Sequence, residues 1–438
     1  MAELDGWLSK LHQRFQALIS SATAQSLLTI FSGQFFAQLL SFLATFLLAS
    51  LYGPRAFSNL AIVVSISSVL TPFLSGTLEN PIVLERNLRK SMRLVMASFV
   101  LISMLSFGLI ALSIGCQILD DSLSVLARYQ AILGYSTLAI VVATLSASRL
   151  VCEAVLLRQH RLGLINRLLM VSAISNPLFA LLAWKLGFVD EGLNIALLFA
   201  YLMQFAFYAV LLPDAFKMRF HLGLAWQTLL KYKTYPLLLS STSVLDSLTT
   251  SLPVVLGLTG QSALTIGNYA FMQRIFLVPI NVLTAAVSKS YLSHSAAKLG
   301  LSPQHFFRYT IQFAVVLSIS AIAFIGLVAS AADPLLSHLV ASKWRQSFTI
   351  FSVLAPSLVC KIVSSSLSSS LLSMHAKNLL ASWKIIAFIF TYFSLSYAAH
   401  FEYASFFRVL MVNDSALYLL LLAMIFYACR PKITLPHS

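Results

Sequence analysis

The sequence predicts an all-α polytopic membrane protein, with about twelve transmembrane helices in two similar halves of six. Three observations lead there. Of the 438 residues, 59% are hydrophobic and 10% charged, whereas an ordinary soluble domain carries about 25% charged residues. Apolar runs of roughly the 20 residues that cross a bilayer recur along the chain, separated by short polar turns. A short echo divides the chain: "GPRAFSNLA" follows the first run and "GQSALTIGNYA" the seventh, which sets Asn59 opposite Asn268.

The elements follow in order. Residues 1–23 form an amphipathic N-terminal segment in which Trp7, Leu8, Leu11, Phe15, Leu18 and Ile19 recur at helical spacing. Such a pattern suits a helix in the headgroup region or a solvated tail, and does not read as a cleaved signal. The first lobe, 24–212, holds runs from Leu27 to Leu51, Asn59 to Val83, Leu94 to Leu119, Ala131 to Leu156, Leu164 to Leu186 and Leu193 to Leu212. A linker follows at 213–235, where Phe216, Phe220, Leu224 and Trp226 alternate loosely with Lys217, Arg219 and His221, as in a surface-lying helix. The second lobe, 236–430, holds runs from Leu237 to Leu258, Ile266 to Leu292, Thr310 to Ala332, Phe348 to Leu372, Leu379 to Ala399 and Phe406 to Cys429, before a tail at 431–438.

The net charge of +15 reports topology. Basic residues crowd alternate loops, with Arg86, Arg89, Lys90 and Arg93 in one, Arg149, Arg158, Arg161 and Arg167 in another, and Lys217, Arg219, Lys231 and Lys233 in the linker. By the positive-inside rule both termini are cytoplasmic. The partners this charge implies are anionic lipid headgroups, not nucleic acid.

No catalytic constellation emerges. The histidines are scattered, Cys116, Cys152, Cys360 and Cys429 lack metal-ligand or disulfide spacing, and no Gly-rich phosphate loop occurs. No enzyme activity, metal or cofactor is therefore expected, and any transport would not be fuelled by nucleotide hydrolysis in this chain.

Charges inside the spans are the functional candidates, because each is costly unless it faces a partner or water. The deepest are Asp246 and Arg274, on either side of the turn at Gly260 to Ala263. They differ in depth by about two residues, roughly 3 Å. They can pair as a structural lock, or Arg274 can face an aqueous cavity with Asp246 holding it. Lys361 and Asp414 are further cavity candidates. Gln34 and Gln38 share one face of the first span, as an interhelical bond or a polar lining. Glu79 lies at the end of span two, while Glu153 and Lys289 are shallow enough to snorkel. The Ser-rich "SSSLSSSLLS" from Ser364 reads as close helix packing.

Two blocks carry a resemblance. "GQFFAQLLSFLATFLLASLYGPRAFSNLAI", with Tyr52, Gly53, Pro54 and Phe57, resembles the opening of the bacterial polysaccharide (O-antigen unit) flippases of the multidrug/oligosaccharidyl-lipid/polysaccharide flippase superfamily, and "LENPIVLER" resembles their segment closing span two, with Glu79 in place. The stretch from Lys231 to His294 resembles their seventh and eighth spans, through Tyr269, Ala270, Gln273, Arg274 and Pro279. Arg55 and Ser58 depart from the pattern, in which an acid and a Gly are frequent.

The resemblance implies two six-helix lobes around a central cavity that opens alternately to the two faces, the architecture of an alternating-access flippase of the bacterial inner membrane. Its cargo would be an undecaprenyl-diphosphate-linked oligosaccharide moved to the periplasmic leaflet for lipopolysaccharide or other surface-polysaccharide assembly, alongside other proteins of that assembly. Arg274 then offers forked donors to phosphate. Proton or sodium coupling through Asp246, Asp414 or Glu79 is an open alternative to transport driven by consumption of the glycan. Two rivals remain: a cation-coupled multidrug exporter of the same fold, and a polytopic enzyme of polysaccharide assembly, which the short loops disfavour.

Overall fold

The computed structural model describes residues 22–85, 87–123, 130–213, 222–301, 303–339, 342–374 and 376–430. The expected amphipathic segment up to residue 21 and the tail at 431–438 lie outside the described residues. The described chain is all-helical. In order it contains α1 (Ala22–Leu51), α2 (Pro54–Ser75), the short α3 (Glu79–Leu84), α4 (Leu88–Leu123), α5 (Gln130–Arg158), α6 (Leu162–Lys185) and α7 (Gly192–Leu211). The linker helix α8 (Leu222–Lys231) leads into α9 (Ser240–Gly260), α10 (Ala263–Met272) and α11 (Val278–Leu301). Then come α12 (Pro303–Leu339), α13 (Arg345–Leu367), the short α14 (Ser369–Ser373), α15 (Lys377–Ala398) and α16 (Tyr403–Cys429).

Among the described residues ten helices are long and apolar enough to cross a membrane, α10 and α11 counting as one. With α1 (30 residues) and α9 (21 residues) they make the expected set of about twelve. The hydroxyl-rich start of α9, "SSTSVLDSLTTS", keeps its hydropathy low.

Local chemistry sets the boundaries. Pro54 opens α2 at a position where its missing N–H costs nothing, and Gly76, at φ 57°, closes the helix in the left-handed conformation. The Ser262 hydroxyl accepts from the Thr265 amide at 3.2 Å and caps α10. Two five-residue π turns interrupt the second lobe, Tyr235–Leu239 before α9 and Gln273–Leu277 between α10 and α11. Each breaks the regular rotation of side chains around its helix.

The lobes repeat one packing scheme. In the first, α2 packs on α5, α1 on α6, α6 on α7, α4 on α5 and α5 on α7; in the second, α10 and α11 pack on α13, α9 on α15, α15 on α16, α12 on α13 and α13 on α16. The Ser-rich stretch acts as read: the Ser364 hydroxyl donates to the Tyr418 carbonyl at 2.6 Å, and Ser366 and Ser370 are buried.

Between lobes, α2 is the hub, packing on both α9 and α10. At one end Gly267 lets α10 approach the Pro54 carbonyl so closely that a β-carbon there would overlap it. Beside it Trp344 is fully buried, donates its indole N–H to the Ala49 carbonyl at 2.9 Å, and packs against Phe57 and Phe271 with ring centroids 4.9 and 4.2 Å away. This is the latch end. At the opposite, linker end, the Ser240 hydroxyl donates to the Pro72 carbonyl at 2.8 Å and Thr77 to the Tyr235 carbonyl at 3.2 Å.

Candidate functional site: a cationic cavity between the lobes

A cavity of about 490 Å³ lies where α1, α2, α5 and α6 face α10 and the π turn that follows it. Its polar lining includes Gln38, Arg149, Asn176, Gln273, Arg274 and several Ser and Thr hydroxyls, and no carboxylate lines it among the described residues.

Arg274 is half-buried and sits in the π turn, about eleven residues or roughly 17 Å from the start of α10, near the middle of a bilayer core about 30 Å thick. Among the described residues no carboxylate comes within ion-pair distance of it. Its guanidinium carbon lies 5.9 Å from the centre of the Phe57 ring, close enough for a cation–π attraction. A desolvated cation with only a ring beside it would be costly at that depth, and the open cavity is what hydrates it.

Asp246 does not accompany Arg274. The expected pair is corrected here: Asp246 on α9 meets Lys384 of α15 at 3.7 Å, with its side chain 56% exposed. Similar depth was the sequence argument, but pairing also needs facing sides. Rotation about the helix axes, which depth does not fix, turns Asp246 toward α15.

Arg149 is the residue the sequence reading missed. It was grouped with the loop cations, yet it stands inside α5, about nine residues or roughly 14 Å from the helix end, and lines the same cavity from the first lobe. Glu153, one turn on, meets it at 3.5 Å and accepts a bond from the Tyr208 hydroxyl at 3.1 Å. Glu153 therefore does not snorkel; it holds Arg149. An Arg and a Glu at i, i+4 spacing inside an apolar run was the signal available in the sequence.

The other candidates disperse. Gln38 and Gln273 line the cavity with Arg274. Lys361 and Asp414 lie deeper in the second lobe, where each feels the other's charge and Asn413 donates to Asp414 at 3.3 Å. Glu79 opens α3 at the linker end. The side chains of Gln34 and Lys289 lie outside the described residues. The echoed asparagines both tie down helices at the latch end: Asn59 donates to Glu191 at 2.9 Å, and Asn268 accepts from the Ser347 hydroxyl at 2.7 Å.

No protein-family model matches the chain, and no curated protein does. Solved structures do match. The inward-facing conformation of a multidrug resistance MATE family transporter of the MOP superfamily superposes with a TM-score of 0.67, at 15% identity over 90% of this chain and 96% of that one. The fold is that of the MOP transporters. The lipid II flippase MurJ, in an inward closed conformation, superposes with a TM-score of 0.72, at 11% identity over 90% of this chain and 87% of its own. A MOP superfamily transporter from Pyrococcus furiosus, described by the reverse polarity of its binding pocket, gives 0.54 at 13% identity, over 92% and 95%. The MOP fold makes this chain a multi-pass membrane protein whose structural neighbours are transporters and flippases, not enzymes.

Proposed function

We propose that the chain is an alternating-access flippase that moves a polyprenyl-diphosphate-linked oligosaccharide, of the undecaprenyl type, from the cytoplasmic to the periplasmic leaflet of a bacterial inner membrane. The observation that carries this reading is the pairing of Arg149 and Arg274, one from each lobe, in a cavity with no lining carboxylate. Two guanidiniums at mid-membrane depth suit a diphosphate, because each offers planar, forked donors. In this reading the positive-inside rule puts the linker end in the cytoplasm, and the Trp344 contact then lies on the periplasmic side. The lipid II flippase of the same fold handles a lipid-linked substrate, which supports the reading.

A multidrug exporter is the rival, favoured by the MATE neighbour. It would carry organic cations, and this lining repels them. The deciding experiment measures surface-glycan display and inner-leaflet lipid-linked oligosaccharide in cells lacking the gene, complemented with the parent chain or with Arg149→Gln or Arg274→Gln. Lost display with accumulated intermediate, restored by the parent and by neither variant, supports the flippase. Normal glycan together with lost drug tolerance sinks it in favour of the exporter.

A further inference from the structure

Beyond Arg149 the first lobe contains a second chamber, of about 260 Å³, which shares Arg149 and Val64 with the main cavity. We infer that this chamber is a sugar subsite: it takes the sugar nearest the diphosphate while Arg149, at the threshold, holds the phosphate. The inference rests on the proposed flippase function and specifies which part of the cargo enters which space.

The lining chemistry is the argument. Ser67, Ser68, Thr71, Ser146 and Tyr201 bring hydroxyls into a chamber otherwise walled by aliphatic side chains such as Val142 and Leu197. Three of those hydroxyls already donate within α2: Ser67 to the Val64 carbonyl at 3.1 Å, Ser68 to Ser65 at 2.8 Å and Thr71 to Ser67 at 2.7 Å. Their protons are spent, so what Ser67 and Thr71 offer the chamber is acceptance, while the Ser68 oxygen is already met by the Ser251 hydroxyl at 3.2 Å.

Arg149 supplies the complementary donors, and its buried Nε has no partner among the described residues. Gln204 lies behind the chamber wall and does not itself line it. It is 1% exposed, on the α7 face that also carries Tyr201 and Tyr208, and neither of its amide atoms has a partner among the described residues. Tyr208 reaches Glu153, one turn from Arg149, so Gln204, one turn before Tyr208, stands at the level of Arg149.

A ring with several hydroxyl donors and acceptors and an apolar CH face fits such walls. With Arg149 at its threshold and no lining carboxylate among the described residues, the chamber disfavours an organic cation, and its volume lies below the about 300–1,000 Å³ of sites for drug-sized ligands. One sugar ring matches the space; the remainder of a glycan would stay in the main cavity or beyond it.

The test measures binding to the purified full chain in nanodiscs. The probes are undecaprenyl diphosphate, bare and carrying a hexose, an N-acetylhexosamine or a hexuronic acid. The parent is expected to prefer at least one sugar-bearing probe over the bare lipid by about tenfold, the scale of one or two well-made hydrogen bonds. Ser146→Ala, which deletes one hydroxyl, and Thr71→Val, which replaces the other by a methyl in nearly the same volume, should erase that preference while still binding the bare diphosphate, which also shows that they fold. Equal affinity of the parent for bare and sugar-bearing lipids would overturn the subsite and leave the flippase standing, as would a preference that survives both substitutions. Failure of the parent to bind any diphosphate lipid would remove the flippase reading and the subsite with it.

Discussion

Arg274 and Phe57 come from different lobes and meet in one contact, the guanidinium carbon 5.9 Å from the ring centroid. Phe57 in turn packs edge-on against Trp344, 4.9 Å away. The charge at mid-cavity is thus one ring removed from the aromatic latch. A ligand that draws Arg274 toward itself withdraws it from Phe57, which gives cargo binding a direct route to the seal.

Arg274→Ala is expected to abolish transport while the protein remains in the membrane. Arg274→Lys keeps the charge and loses the fork, and should slow transport by about tenfold, the worth of one charge-assisted hydrogen bond. The measurement is flipping rate in proteoliposomes beside membrane abundance; normal transport by the Ala variant would refute the cavity's role.

Trp344→Phe preserves an aromatic ring but loses the indole bond to Ala49, and should cost about 1 kcal/mol of stability. In a background free of native cysteines, a reporter cysteine at Ala61 in the cavity wall should become reachable by a membrane-impermeant thiol reagent from the periplasmic face. Unchanged labelling would show that Trp344 does not seal that end.

Two glycines near each other at the latch end should behave oppositely. Gly267→Ala drives a methyl into the Pro54 carbonyl, and Gly53→Ala meets nothing within 4 Å. The first should destabilise the protein by about 1–3 kcal/mol and loosen the inter-lobe contact; the second should leave its thermal unfolding unchanged.

Asp246→Asn breaks a pair that is half in water, so its effect on stability should stay within about 1 kcal/mol. Transport should persist at near-parental rate if Arg274 works without Asp246. A loss as deep as that of Arg274→Ala would mean the two residues pair in another state of the cycle.

At the linker end the Tyr232 hydroxyl donates to Glu85 at 2.6 Å. That bond first, then the Asn87 amide, holds the Glu85 carboxyl below its ordinary range, and it pushes Tyr232 up to about 12. A carboxylate whose folded value is depressed contributes stability above its unfolded value and loses it as pH falls through the folded one. The tie should therefore weaken only in acid. Tyr232→Phe should move the Glu85 titration, followed by carboxyl NMR, back up toward the ordinary range.

The fold was legible because run length and turn chemistry are one-dimensional: Gly53–Pro54 and the Gly260 to Ala263 turn mark helix ends directly. The site was legible in depth and not in rotation. Gln38, Gln273 and Arg274 meet as their positions allow, while Asp246, at a depth close to that of Arg274, turns to Lys384. Depth follows from counting residues from the turn, whereas the neighbour a side chain meets depends on how each helix is rotated in the bundle, which spacing from the turn does not show. Arg149 was hidden differently: it falls inside the run Ala131 to Leu156, seven residues before its end, yet its charge was counted with the loop cations beyond that run.

The polar start of α9 bears on how the protein is made. A segment of this composition partitions poorly from the translocon into lipid by itself, and its Ser68–Ser251 and Ser240–Pro72 bonds are to α2, synthesised long before it. α9 is therefore expected to settle in the bilayer against α2, a surface that exists before it is made, so the order of synthesis suits the one span that lipid alone receives poorly.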